Sequence, residues 1–480
     1  MNEQSLFERF NVSPLLNSLA DRIAMSETQK SPFQIFLQHL NGSAPAFVLQ
    51  TIFTHEKTNQ WNHIVVLNDA EEAAYFFNSI ESVTEAMDLF YFPSSFKTPH
   101  NFNFLNPSHV MLRTEALTKI SMGGNKKIIV TYPEALFEKV ILPKTLQKNI
   151  IQIKTNDSID LNAMMQQFID YGFERTDFVY EPGQFALRGG IFDIYSFGNE
   201  KPYRIELFGE EVDSIRLFDP ATQLSERKLL QVNIIPNVTT QFEDTEKIPL
   251  IEFMNSNTIL WVKDWNVIKQ RGMDQWESLN DFLTHTANNK PIELGDAHIK
   301  HTQLDDFDTV ENAEASLLNS TIIEWGFQAN IAKEVISFNT QVQPSFNRQF
   351  QLLIANLQEL EKKGYALFIF AEQAKQLERL HAIFTDLKTE IQFTPVVKNI
   401  HEGFIDHDHK IVCYTDHQIF QRYHKYKVKQ AYSKSKAITL RTLRDMQPGD
   451  YVTHIDHGVG VYSGLQKIDV NGLMQEAVRI

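Results

Sequence analysis

Apolar positions along the first ~145 residues come in short continuous runs separated by helix-like stretches. AFVLQTIF (46–53) and HIVVLN (63–68) predict buried strands. The second leads into NDAEEAAYFFNSIESV, a predicted helix in which Asn68 or Asp69 caps and acids fill the first turn. KKIIVTY (126–132) predicts another strand, followed by helix-prone PEALFEKV. Repeated strand–helix alternation predicts a parallel sheet with helices on its faces.

From ~150 to ~235 the period changes to two. A helix pattern, DLNAMMQQFIDYGF, precedes the strand-like runs QFALR, GIFDIYS, PYRIELF and VDSIRLF, punctuated by Gly189-Gly190, Gly198-Asn199 and Gly209-Glu210. This predicts an antiparallel meander with one covering helix. In PYRIELF, Ile205 and Leu207 fall on one face, and Arg204, Glu206 and Phe208 on the other. In the neighbouring run Phe185 and Leu187 alternate against Arg188. An aromatic with two arginines on a non-core face has the composition of a binding hot spot. The plainer alternative is that Phe208 is covered by a helix of its own chain and the arginines pair with Glu206 or Glu210. Glu206 is expected to hold Arg204 in place.

Residues 236–345 are mixed and contain the strand-like TILWV (258–262). Alternation resumes with YALFIF, then a helix AEQAKQLERLHAIF with Leu377, Leu380 and Phe384 on one stripe, then KIVCYT. Between Arg422 and Arg444 lie eight Lys/Arg and no Asp/Glu, which reads as a solvated basic linker. Val452, Val459, Val461 and Tyr462, interleaved with Gly458, Gly460 and Gly464, predict bent strands of a small barrel. The pattern stops in mid-strand at Ala477-Val478-Arg479-Ile480, leaving an unpaired apolar strand, so a longer natural chain is expected.

Composition narrows the function. The 480 residues suggest about three domains, and 42% hydrophobic with 22% charged residues is ordinary for a globular chain. A net charge of −15 favours protein partners over whole-surface nucleic-acid binding. A single cysteine, Cys413, in an apolar run reads as a buried inert thiol and excludes an intrachain disulfide framework. The N-terminus lacks a secretory pattern and no apolar run reaches the ~18 residues of a membrane span, so a cytoplasmic monomer is expected. The chain has no Gly-Lys and no Asp-Glu dipeptide, and so neither a phosphate loop nor a helicase-type magnesium motif. No enzyme activity and no cofactor are expected of these residues. Asp406-His407-Asp408-His409 reads as a polar turn before a strand, and His454, Asp456 and His457 as the opening of a tight turn, with no metal expected at either.

Two stretches carry a family resemblance. GQFALRGGIFDIYSFGNEKPYRIELFGEEVDSIRLFDP (183–220) resembles the UvrB-homology module of bacterial transcription-repair coupling factors of the Mfd type, and UvrB has a related form. LRDMQPGDYVTHIDHGVGVYSGL (443–465) resembles the start of that family's RNA-polymerase-interacting domain, a Tudor-like, CarD-like barrel that UvrB lacks. The resemblance implies an α/β and α+β multidomain chain. Residues 1–148 and 236–350 would form a degenerate helicase-like parallel α/β domain, into which 149–235 inserts as a UvrA-binding antiparallel sheet domain. A small α/β domain (351–424), the linker (425–443) and an incomplete barrel (444–480) would follow.

By the same resemblance, NGSAPAFVLQ (41–50) stands in the Walker A place, with Gly42 and Ser43 present but Pro45 and Ala46 where glycine and lysine are needed. TILWVKDWNV (258–267) stands in the Walker B place, with Lys263 and Asp264 replacing an acidic pair. UvrB's tyrosine-rich DNA-clamping hairpin has no evident counterpart after FYFPSS (90–95). Family UvrA-binding positions map onto Arg188, Arg204 and Phe208. The barrel would add an edge strand to the RNA polymerase β subunit, with Ile468 either an apolar contact or barrel core. An intact family member also carries motor domains that use ATP and Mg²⁺ to translocate on DNA, and masks the UvrA surface with a C-terminal domain. The implied role is non-catalytic recruitment of UvrA to stalled polymerase. Two rivals are a UvrB-type ATP-dependent repair subunit and a nucleic-acid-binding module using the basic linker, the latter predicting salt-steep DNA affinity.

Overall fold

Seven parallel strands carry the largest core. From edge to edge they are Glu334–Ser337, Gln34–Gln38, Thr321–Trp325, Thr258–Lys263, Asn62–Val66, Ile128–Thr131 and Leu89–Tyr91, every neighbouring pair parallel. The computed structural model describes residues 4–29, 32–86, 88–124, 126–242, 245–254, 257–287, 300–427, 449–454, 458–470 and 473–479. Strands from before residue 132 and after residue 257 share this sheet, so the intervening antiparallel sheet is an insertion. Asp69 caps the helix Ala70–Val83, accepting the Glu72 N–H at 2.8 Å.

The first difference from expectation lies in the parallel unit. AFVLQTIF is not a strand; it belongs to the helix Ala44–Thr54. The run is apolar on all sides because the helix is buried almost throughout, and period cannot separate a buried helix from a buried strand. Pro45 in the first turn was the available signal, since proline suits a helix start. The strand of this unit is instead Gln34–Gln38. A short hairpin, Phe96–Thr98 with Asn101–Leu105, follows FYFPSS. It contains no tyrosine; Phe96 and Phe102 are sealed in a core, and Phe104 is exposed.

The inserted sheet has the order Ser225–Leu229, Glu211–Phe218, Tyr203–Phe208, Ile191–Ile194, Gln184–Arg188, Glu174–Arg175, antiparallel except for the last pair. The helix Leu161–Asp170 covers one face. Its Phe168 is buried with Phe185, Phe192, Ile205 and Ile215, the inward positions of the period-two pattern. A five-stranded mixed sheet follows: Thr340–Val342, Phe404–Asp406, Ile411–Thr415, Ala366–Phe370 and Thr394–Val396. Against it lies the helix Ala374–Asp386 with Leu377, Leu380 and Phe384 buried as expected. The Asp406–His409 stretch is a turn in which the Asp406 carboxylate accepts the N–H groups of Asp408 and His409, each at 3.0 Å. Cys413 is buried, and burial pushes its thiol pKa well up.

Near the end, Tyr451–His454 pairs with Gly458–Val461, and Gly464–Val470 with Leu473–Arg479. The last strand is therefore paired along its length, correcting the expectation of an unpaired one. The linker residues 428–448, and Asp456 and His457, lie outside the described residues. Among the described residues no helix is long and apolar enough to cross a membrane.

Candidate functional site

The outer face of the inserted sheet is set by strand register. Ala186, Asp193, Arg204 and Arg216 are cross-strand partners in one row, and Arg188, Ile191, Glu206 and Ser214 in the next. Side chains in both rows point away from Phe168 because alternate residues face opposite sides. A small cluster, Val179, Ala186, Tyr195 and Phe218, covers one end of this face. At the other end Phe208, just before the turn at Gly209, is 85% exposed. A chain helix therefore does not cover its ring.

Asp193 is the centre of the face. It is fully buried and takes both arginines: Arg204 donates through Nε at 2.8 Å and Nη2 at 2.9 Å, and Arg188 through Nη2 at 2.5 Å. The other Arg204 nitrogen donates to the Gln223 carbonyl at 3.0 Å, and its guanidinium lies 4.4 Å from the Phe218 ring centroid. Arg188 also donates to the Asp177 carbonyl at 2.8 Å and lies 4.5 Å from the half-exposed Phe178 ring. Its side chain is 33% exposed, that of Arg204 only 14%. The hydrogen bonds to Asp193 raise the Arg204 pKa. Two guanidiniums on one carboxylate leave one unit of positive charge.

This corrects the expected role of Glu206. Its carboxylate accepts from Arg216 at 2.8 Å and Ser214 at 2.7 Å, its neighbours across the strand pair, and Arg204 is held by Asp193. Sequence reasoning missed Asp193. The signal was a lone aspartate between Phe192 and Ile194, on the face opposite the core. Such a carboxylate needs cationic partners if it is buried.

A second feature is a cleft of about 350 Å³ at the C-terminal ends of the parallel strands. Gly42, Ser43, Pro45, Ala46 and Lys263 all line it, together with Asp69, Glu71, Glu72, Tyr75, Trp325, His401 and Glu402. The backbone at 402–403 sits on the loop before helix Ala44–Thr54. Ser43 N–H donates to the Glu402 carbonyl at 3.1 Å, and Ser43 Oγ accepts the Glu402 N–H at 3.0 Å. A Cβ at Gly42 would lie 2.8 Å from the Gly403 carbonyl. The N–H that could meet a phosphate at this helix start is thus already bonded. Lys263 is ion-paired to Glu72. Asp264 is not among the lining residues; it has φ 47° and accepts the Phe327 N–H at 2.6 Å. Four carboxylates against one paired ammonium oppose a polyphosphate at the cleft.

Beside the cleft, His401 stacks on Tyr75 at 3.7 Å and His417 on His424 at 4.2 Å, with His401 and His424 Nδ1 atoms 3.0 Å apart. Burial lowers the His401 pKa to about 4 and that of His417 to about 3. At the far end of the chain, Ile468 is opposite Gln475 in the last hairpin, and its side chain lies outside the described residues.

Comparison with known proteins adds a context to this geometry. A family model described as the UvrB interaction domain matches residues 151–239, and one described as the CarD-like/TRCF RID domain matches residues 446–480. The transcription-repair-coupling factor of Bacillus subtilis (strain 168) is 23% identical over 516 residues of alignment, covering 92% of this chain and 43% of the relative. Those of Staphylococcus epidermidis (strain ATCC 12228 / FDA PCI 1200) and Staphylococcus aureus (strain Mu50 / ATCC 700699) are 23% and 22% identical, covering 93% and 88% of this chain and 43% and 42% of the relatives. The resemblance to the transcription-repair-coupling factor family therefore extends along nearly the whole chain, which spans less than half the length of these relatives.

Proposed function

We propose that the chain is a recruitment platform of transcription-coupled nucleotide-excision repair, binding UvrA through Arg188, Arg204 and Phe208. One observation carries this reading: a phenylalanine 85% exposed, on the same sheet face as two anchored arginines, inside the segment that matches the UvrB interaction domain. An exposed aromatic beside arginines is the composition from which hot spots are built. The parallel sheet is read as a degenerate helicase-like domain and the last two hairpins as part of a Tudor-like barrel. The domain division follows the boundaries given above, except that the strand Thr340–Val342 joins the sheet of the small α/β domain. The barrel would meet the RNA polymerase β subunit, with Ile468 as an apolar contact. Residues 1–480 would need no cofactor and catalyse no reaction. ATP, Mg²⁺ and DNA would engage motor domains of the whole protein, an ATP-dependent translocase that displaces stalled polymerase. The expected state is a cytoplasmic monomer.

The test is retention of UvrA by the immobilised chain and by its Arg204→Ala and Phe208→Ala variants. Loss in both variants is expected, and equal retention by all three refutes the interface. The cleft gives the UvrB-type rival its one foothold, and Mg²⁺·ATP binding by calorimetry would favour it.

A further inference from the structure

Arg188 and Arg204 come from strands separated by a third, Ile191–Ile194, and their side chains meet only because Asp193 rises between them. Asp193 is fully buried, so it makes no contact with a partner itself. We infer that Asp193 is the positioning residue of the proposed UvrA surface, fixing two arginines in one orientation and setting its charge to one positive unit; the inference rests on the function proposed above.

The geometry divides the labour between the arginines. A guanidinium has five N–H donors. Arg204 uses three nitrogens on protein oxygens, two of them on Asp193, and is 14% exposed. Arg188 uses two, is 33% exposed, and rests against Phe178. Arg188 therefore reaches farther toward a partner, while Arg204 offers it a smaller exposed edge and also holds the carboxylate that aims both. A planar fork already held in place loses less freedom on binding than a mobile one. The matching partner patch carries a carboxylate for Arg188 next to an apolar recess for the Phe208 ring. With Asp193 made neutral, the two guanidiniums would repel each other and lose their common anchor.

The test measures UvrA affinity of the native chain, Asp193→Asn, Phe208→Ala, Arg188→Ala/Arg204→Ala, and the triple variant that adds Asp193→Asn to the arginine pair. Asp193→Asn is expected to weaken binding tenfold or more. In the background without the two arginines it should change affinity by less than twofold, because a positioning residue has nothing left to position. Native-like affinity of Asp193→Asn overturns the inference. So does a tenfold loss that persists without the arginines, which would mean that Asp193 acts through the fold alone. If Asp193→Asn does not unfold cooperatively, Arg204→Lys is read instead. It keeps the charge but not the two-pronged bond, and should lose at least fivefold; native-like affinity again overturns the inference. Failure of the proposed function looks different, since the native chain then does not bind UvrA at all.

Discussion

The outer face of the inserted sheet and the cleft of the parallel sheet both place basic side chains against carboxylates, with opposite results. In the cleft, Lys263 meets Glu72 and further acids surround it, while the backbone at Glu402 occupies the helix start. The ion pair there closes a site. On the sheet face, one buried aspartate serves two arginines, so cationic charge is left over, and Phe208 stands beyond it in solvent. The ion pair there leaves a basic and aromatic face open to solvent. The difference lies in stoichiometry and burial rather than in residue type. A buried carboxylate with two cations anchors a surface, whereas an excess of carboxylates around one cation neutralises it.

The largest expected effect separates the two faces of the inserted sheet. Phe168→Ala should cost ~3–5 kcal/mol in urea unfolding, because it empties a buried ring position. Phe208→Ala should stay within ~0.5 kcal/mol of the native chain, as an exposed position does. Comparable losses would mean that Phe208 is structural. The next effect is on binding. Phe208→Ala should lose ~2 kcal/mol or more of UvrA affinity, roughly thirtyfold, as a hot spot does.

Acid should destabilise the fold through its buried histidines, two of them beside the cleft. His401 and His417 stay neutral in the fold down to about pH 4 and about pH 3, whereas an unfolded histidine takes up its proton near 6.5. Between those values the unfolded chain binds more protons, so stability falls as pH falls from 6.5 toward 4. Thermal unfolding should show that decline, and His401→Gln with His417→Gln should make it shallower, while His63, His109 and His424, whose pKa values burial also lowers, keep part of it. A slope unchanged in the double variant would remove the histidine stack as its cause. A smaller effect is expected of Lys263→Met. Its ion pair is about 30% exposed, so stability should change by ~1 kcal/mol or less. Smallest of all, Ala46→Lys should not restore Mg²⁺·ATP binding in calorimetry, because the Glu402 carbonyl already holds the Ser43 N–H. Restored binding would show that the missing lysine alone had silenced the cleft.

Periodicity alone determined much of this protein. Ile205 inward with Arg204 and Phe208 outward, the stripe of Leu377, Leu380 and Phe384, and a cap at Asn68 or Asp69 are local consequences of side-chain direction and helix ends, readable without a partner strand. Two things escaped the periodicity, and the second required the tertiary structure. The helix Ala44–Thr54 was hidden because a run buried on every side has no period to read. The Asp193 anchor was hidden because it depends on cross-strand register, Ala186 to Asp193 to Arg204. Register pairs residues far apart in the chain, and nothing in the local order of residues states which arginine a buried carboxylate will face.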